Sequence, residues 1–187
     1  MRRFYGPLLV PPFAVALALA LPILALAGGE PVVPGRTGNL PEHPWTLGSQ
    51  LPNFRAQDLQ GKPVALRDLK GAPMLVNLWA TWCGACMAEL PAIKAIDAKY
   101  KSKGLRTVGI SLDDRRGEVE MIVGDLEIPY TVLFDPGQLA TEVWRADTIP
   151  DTFLYDRSGR LVWRYNGIVR PNDPGLEAAL KAVTAKP

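Results

Sequence analysis

The sequence contains very little cysteine and histidine: Cys83, Cys86 and His43 are the only such residues among 187. Small secreted domains stabilised by disulfides carry four or more spread cysteines, so this chain is not a scaffold of that kind. No second histidine or cysteine lies near His43 in sequence, and no metal or other cofactor is expected. A strong basic excess is also absent, since the formal net charge is +2, and nothing indicates nucleic-acid binding.

Charge is absent from residues 8–27, an apolar run that follows Arg2 and Arg3. This arrangement is typical of an export signal. Ala25-Leu26-Ala27 resembles a signal-peptidase site, whereas about 20 apolar residues are also enough to span a bilayer. Residues 1–27 are therefore predicted to be either a cleaved signal peptide or an N-terminal membrane anchor. Without this segment, which contains no acidic residue, the formal charge of the chain is zero.

Residues 28–50 are rich in proline and glycine and show no periodic apolar pattern, which predicts a linker. The rest of the chain, residues 51–187, has the length and the apolar content of one domain. If residues 8–27 stay in a membrane, the linker would let this domain reach partners beside the lipid surface.

The two cysteines end an apolar run of the predicted domain. Residues 75–79 indicate a buried strand, and a helix is expected to start at Cys83. Free backbone amides at the start of a helix favour a thiolate on Cys83. A static bridge across so short a ring would stabilise the fold little. The pair therefore predicts a reversible redox-active disulfide.

The remaining pattern predicts an α/β domain with a mixed central sheet and helices on both faces. Asp113 and Asp114 are expected to cap one of these helices. The predicted elements are a hairpin over 54–66 with its turn at Gly61-Lys62, a helical turn over 66–71, helices over 85–100, 116–126, 139–145 and 173–186, and strands over 105–112, 130–134, 151–155 and 160–165.

Three segments together resemble one family. They are Trp-Ala-Thr-Trp-Cys-Gly-Ala-Cys at 79–86, Glu-Leu-Pro at 89–91 and Thr-Ile-Pro-Asp-Thr-Phe-Leu at 148–154. With these segments, the domain resembles the membrane-associated thioredoxin-like proteins of the TlpA, ResA and CcmG/DsbE group. The resemblance runs from about Leu51 to the C-terminus and implies a thioredoxin-like fold with an N-terminal β-hairpin extension.

Two positions depart from the pattern of related proteins. Members of this group usually carry proline before the second cysteine, where this chain has Ala85. The dipeptide between the cysteines influences the reduction potential, so the potential cannot be carried over from the family. Thioredoxin itself has an acid in the central strand, where this chain has Asn77. The acid is instead at Glu89, as in the ResA-like branch.

The sequence assigns a catalytic role to Cys83, Cys86 and Glu89. Cys83 is expected to attack a substrate disulfide, and Cys86 to resolve the mixed disulfide that results. Glu89 lies three residues after Cys86, on the same helix face. If it is buried, its pKa should rise toward neutrality and its carboxylate can accept the Cys86 proton. An exposed helix acid is the alternative.

Three residues are expected to bind substrate. Pro150 is predicted to follow a cis peptide bond and to pack against the sulfur atoms, with the backbone of Ile149 pairing with an extended substrate. Strand alternation places Trp79 in the core and Trp82 on the rim beside Cys83, where it can contact substrate.

The resulting functional prediction is a thiol-disulfide oxidoreductase at the extracytoplasmic face of the bacterial inner membrane. It would act as a reductant, because Gly84-Ala85 contains no histidine to stabilise the thiolate. The resemblance implies protein substrates such as apocytochrome c or a copper-site assembly protein, and a membrane thiol-disulfide electron donor. A copper metallochaperone and a thiol peroxidase are the alternatives, although Ala80 stands where a peroxidase of the peroxiredoxin type has threonine.

Overall fold

The computed structural model describes residues 46–185. The predicted signal or anchor over 1–27, most of the predicted linker and His43 lie outside these residues. Within residues 46–185, no helix is both long and apolar enough to cross a membrane.

Seven strands and four α-helices make up the described chain. The strands are β1 (Arg55–Asp58), β2 (Pro63–Ala65), β3 (Met74–Trp79), β4 (Arg106–Ser111), β5 (Thr131–Phe134), β6 (Asp151–Tyr155) and β7 (Leu161–Asn166). The helices are α1 (Gly84–Tyr100), α2 (Arg116–Asp125), α3 (Leu139–Trp144) and α4 (Pro174–Thr184), and short 3-10 turns cover Leu66–Leu69 and Lys101–Lys103. Each predicted element is present within a few residues of its expected bounds.

The strands form one mixed sheet in the order β2-β1-β5-β4-β3-β6-β7. β3 pairs in parallel with β4 and antiparallel with β6, and β4 pairs in parallel with β5. All six residues of β3 are buried, because the strand has neighbours on both sides and helices over both faces. The predicted mixed sheet and its N-terminal hairpin, β1 with β2, are confirmed.

Each face of the sheet has its own hydrophobic core. Leu75, Trp79 and Leu154 pack with residues of α1, α2 and α4 on one face. Phe54, Leu78 and Phe153 pack with residues of α3 on the other. The prediction of helices on both faces is therefore confirmed. The buried indole of Trp144 in α3 donates a hydrogen bond to the Tyr155 hydroxyl at 3.0 Å, which satisfies its one polar atom.

The predicted cap of α2 is wrong. Arg115 occupies the N-cap position of α2, and no side chain makes a capping hydrogen bond there. Asp113 is only 1% exposed and accepts hydrogen bonds from Thr81 and Ser111 instead. Asp114 is exposed. A buried carboxylate takes the nearest strong donors, and for Asp113 these lie on the neighbouring strand ends rather than on the helix that follows.

The chain enters the sheet at the end remote from the cysteines. Gly48 N–H donates to the Leu161 carbonyl at 2.7 Å, and Leu51 N–H donates to the Gly159 carbonyl at 2.7 Å. These partners lie at or beside the connection from β6 to β7. Because Tyr155 at the end of β6 pairs with Met74 at the start of β3, this connection lies at the opposite end of β3 from Cys83.

We expect Leu78→Ala to lower the free energy of unfolding by about 3 kcal/mol, since it removes a fully buried side chain from the central strand. Urea denaturation measures the change. Leu139→Ala, which truncates a leucine that is 49% exposed, is the matched control and should change stability by under about 1 kcal/mol. Equal losses in the two variants would contradict this packing.

Candidate active site

A short turn connects β3 to α1 and carries the first cysteine. Cys83 N–H donates to the Ala80 carbonyl at 3.2 Å, and the Cys83 carbonyl accepts from Met87 N–H at 3.0 Å. Cys83 is thus the N-cap residue of α1, with an extended backbone conformation. The prediction that the helix starts at Cys83 is confirmed.

Cys83 and Cys86 are joined in a disulfide. Cys86 is fully buried, whereas Cys83 is partly exposed. The Cys86 N–H points at the Cys83 sulfur from 3.1 Å. In the reduced protein the same N–H would stabilise a thiolate on Cys83, because backbone amides in the first turn of a helix have no partner within the helix.

Glu89 lies on α1 one turn after Cys86 and has no exposed surface. Its Oε2 accepts a hydrogen bond from Asn77 Nδ2 in β3 at 2.8 Å. Its Oε1 accepts from the Val169 N–H, in the connection from β7 to α4, also at 2.8 Å. One carboxyl group therefore joins α1 to the central strand and to the segment that follows β7.

Burial raises the pKa of Glu89 from 4.5 to about 7. The hydrogen bonds from Val169 and Asn77 oppose this rise, and the negative charge of Asp151 adds to it. The predicted burial and raised pKa are confirmed, and the alternative of an exposed helix acid is excluded. A carboxyl group with this pKa exchanges a proton readily at neutral pH.

The partners of Glu89 were not identified from sequence. Asn77 also donates to the Thr152 hydroxyl at 3.0 Å across the pairing of β3 with β6. Beside Thr152, the buried Asp151 pairs with Arg164 of β7 through two hydrogen bonds, at 2.5 and 3.1 Å. The one available signal was a polar residue, Asn77, inside an otherwise apolar strand, because such a residue needs a buried partner.

The segment before β6 lies against the disulfide. The peptide bond between Ile149 and Pro150 is cis, as predicted. The Cys83 sulfur is 3.7 Å from the Ile149 carbonyl oxygen. Within residues 46–185, the Ile149 N–H has no hydrogen-bond partner. The backbone of Ile149 is thus adjacent to the reactive sulfur, and its role in binding substrate stays a prediction.

Two exposed apolar side chains belong to segments that meet at the site. Trp82, directly before Cys83, is 65% exposed, whereas Trp79 is fully buried, so the predicted placement of both is confirmed. Ile168, directly before Val169, is 45% exposed and was not identified from sequence. Within the described part of the chain, no cluster of three or more His, Cys, Asp or Glu side chains could hold a metal ion.

The family model of the redoxins matches residues 46–180, which include every group described above. The chain belongs to the redoxin family. Among relatives, the thiol-disulfide oxidoreductase ResA of Bacillus anthracis is 33% identical over 138 residues, covering 74% of this chain and 79% of the relative. ResA of Bacillus subtilis is 30% identical over 115 residues, covering 62% of this chain and 64% of the relative.

Solved structures of two other proteins share the fold. A Chlorobium tepidum protein assigned as thiol:disulfide interchange protein DsbE is 28% identical, with a TM-score of 0.69, covering 75% of this chain and 99% of that one. The thioredoxin domain of a thiol-disulfide oxidoreductase from Bacteroides vulgatus is 25% identical, with a TM-score of 0.64, covering 74% and 98%. The predicted thioredoxin-like fold and the resemblance to the ResA and DsbE group are confirmed.

We expect the oxidised protein to lose stability as the pH rises from about 4.5 to 7, because folded Glu89 holds its proton where unfolded Glu89 has lost it. The loss reaches at most about 3 kcal/mol above pH 7. Glu89→Gln removes this contribution, so its stability relative to the wild type should increase over that interval. Urea denaturation at pH 4.5 and pH 8 measures the difference.

Glu120→Gln, at an exposed position of α2, is the control and should parallel the wild type at both pH values. A Glu89→Gln variant with the same pH dependence as the wild type would contradict the raised pKa of Glu89.

Proposed function

We propose that the protein reduces disulfide bonds of other proteins outside the cytoplasm, using Cys83 and Cys86 as its reactive pair. The observation that carries this proposal is the arrangement of three groups in one helix. A partly exposed sulfur lies at the N-terminus of α1, a buried sulfur lies one turn further on, and a buried carboxyl group lies one turn beyond that.

The first step is the attack of the reduced Cys83 thiolate on a substrate disulfide. A bond forms between Cys83 and one substrate sulfur, and the other substrate sulfur leaves as a thiolate that takes a proton from solvent. The Cys86 N–H and the free amides of the first helical turn stabilise the attacking thiolate.

In the second step, Cys86 attacks the Cys83 sulfur of the mixed disulfide. The Cys86 thiol passes its proton to the Glu89 carboxylate, the second substrate sulfur leaves as a thiolate, and the Cys83–Cys86 disulfide forms. Two electrons have then moved to the substrate. A pKa of about 7 suits Glu89 to accept this proton and to return it when a donor dithiol reduces the disulfide again.

The surface beside Cys83 suits an extended polypeptide better than a small molecule. Trp82, directly before Cys83, offers an exposed apolar contact, and the Ile149 carbonyl lies 3.7 Å from the Cys83 sulfur. A substrate segment that runs past Ile149 would pair with its backbone, while Trp82 contacts an apolar side chain next to the substrate cysteine.

Several features support a role for this protein as a reductant in the maturation of other proteins outside the cytoplasm. Gly84-Ala85 supplies no cationic side chain to stabilise the Cys83 thiolate, which argues against a strong oxidant. Residues 1–27 have the pattern of an export signal or anchor. The relatives carry the name thiol-disulfide oxidoreductase ResA. On this proposal, apocytochrome c or a copper-site assembly protein is the substrate, and a membrane thiol-disulfide protein is the donor.

We expect Cys86→Ser to accumulate a mixed disulfide with insulin and to stop turnover, because serine cannot resolve the bond at Cys83. Non-reducing electrophoresis and mass spectrometry identify the adduct. Cys83→Ser is the matched control and should form none, since Cys86 is buried. Adducts that form equally well in both variants would contradict the assignment of Cys83 as the attacking residue.

The proposed direction of electron transfer, from the Cys83–Cys86 dithiol to the substrate disulfide, predicts the reduction potential of the wild-type pair. We expect a value below about −200 mV, nearer to thioredoxin than to the strong oxidant DsbA. Equilibration with glutathione or dithiothreitol, followed by thiol alkylation, measures it. A potential near −120 mV would show an oxidant and exclude the proposed direction.

A further inference from the structure

Asp113 is a buried acid that the proposed reaction does not use. It lies two residues after the end of β4, at the same end of the sheet as Cys83, because β3 and β4 are parallel. Its side chain is only 1% exposed. Asp114, the next residue, is exposed and provides an internal comparison.

Three donors from two strand ends surround the Asp113 carboxyl group. Thr81 N–H lies 3.1 Å from both carboxyl oxygens, and the Thr81 hydroxyl donates to Oδ1 at 2.6 Å. The Ser111 hydroxyl donates to Oδ2 at 2.7 Å. Both carboxyl oxygens therefore have hydrogen-bond partners. All three donors are neutral, and within residues 46–185 no lysine, arginine or histidine forms an ion pair with Asp113.

Thr81 belongs to the turn that places Cys83. The Cys83 N–H donates back to Ala80, so the turn is closed over Thr81 and Trp82. The Cα atoms of Thr81 and Cys83 are two residues apart, a span of at most about 7 Å. The charge of Asp113 is therefore held close to the Cys83 end of the pair, in a region partly shielded from water.

We propose that Asp113 is a positioning residue that fixes the Thr81–Cys83 turn and holds a negative charge beside the Cys83 sulfur, which lowers thiolate stability and keeps the pair reducing. The proposal deepens the function proposed above and rests on it. The free amides at the start of α1 favour the thiolate, and Asp113 opposes them. A less stable thiolate makes the disulfide form more favourable, so the reduction potential becomes more negative.

Other charged groups approach the site from different elements. Glu89 of α1 lies behind Cys86, and Asp151 of β6 is paired with Arg164 of β7. The Thr81 turn is instead hydrogen-bonded to Asp113. A substitution at Asp113 therefore changes the charge on the Cys83 side of the pair while Glu89 and its partners stay as they are.

The test compares Asp113→Asn with Asp114→Asn. At an effective dielectric constant of about 20, one charge about 10 Å from the sulfur changes the thiolate equilibrium roughly tenfold. Asp113→Asn should therefore lower the pKa of Cys83 by about one unit and shift the equilibrium with glutathione toward the dithiol. Asp114→Asn should change either quantity less than twofold, because its charge is solvated. The pH dependence of alkylation by iodoacetamide measures the thiolate in the reduced proteins.

Thr81→Val separates charge from anchoring. It removes the hydroxyl that holds the turn but keeps the carboxylate, so it should not lower the pKa of Cys83. If Thr81→Val lowers it as much as Asp113→Asn does, or if Asp113→Asn and Asp114→Asn behave alike, the proposal is overturned. If Asp113→Asn fails to fold, Asp113→Ser replaces it, because serine is neutral and can still accept a hydrogen bond from Thr81. The same decrease in the pKa of Cys83 is then expected.

The thiol titration needs no substrate, so its outcome is independent of the insulin assay. A wild-type protein that does not reduce insulin, together with a Cys86→Ser variant that forms no adduct with it, would overturn the proposed function. Equal pKa values of Cys83 in Asp113→Asn and Asp114→Asn would overturn only the role proposed for Asp113.

Discussion

The turn from β3 into α1 is the constraint on which the rest of the site depends. The strand is buried along its whole length between two neighbours, so its end point is fixed by the sheet. Ala80 and Cys83 close the turn with a backbone hydrogen bond, and the helix starts at once. This geometry puts the Cys83 sulfur at the rim and the Cys86 sulfur in the core, so two chemically equal side chains have different environments.

A second group of interactions is polar and lies inside the core. Asn77, Glu89, Thr152 and the Val169 amide form one hydrogen-bonded set beneath α1. Burying a carboxyl group costs free energy, and only part of that cost is recovered by the hydrogen bonds it accepts, which is why its pKa stays raised. On the proposed function, this acid serves to exchange a proton with the Cys86 sulfur.

The elements of the fold could be predicted from sequence because their signals are local. The apolar run of β3, the paired cysteines and the Ile-Pro before β6 can each be recognised within a few residues of sequence. The contacts of Asp113 could not be predicted, since an acid pair before a helix is also typical of a cap. The deciding donor, Thr81, lies in the turn after β3, far from Asp113 in sequence. Val169 was missed for the same reason: a backbone N–H carries no sequence signal, and only the packed fold brings it to Glu89.

The backbone hydrogen bonds of Gly48 and Leu51 to the connection between β6 and β7 fix the direction from which the preceding chain arrives. That direction is the pole of the domain opposite the sulfur atoms. Residues 48–51 are therefore held at the end of the domain away from Cys83, and they leave the face with the sulfur atoms unobstructed.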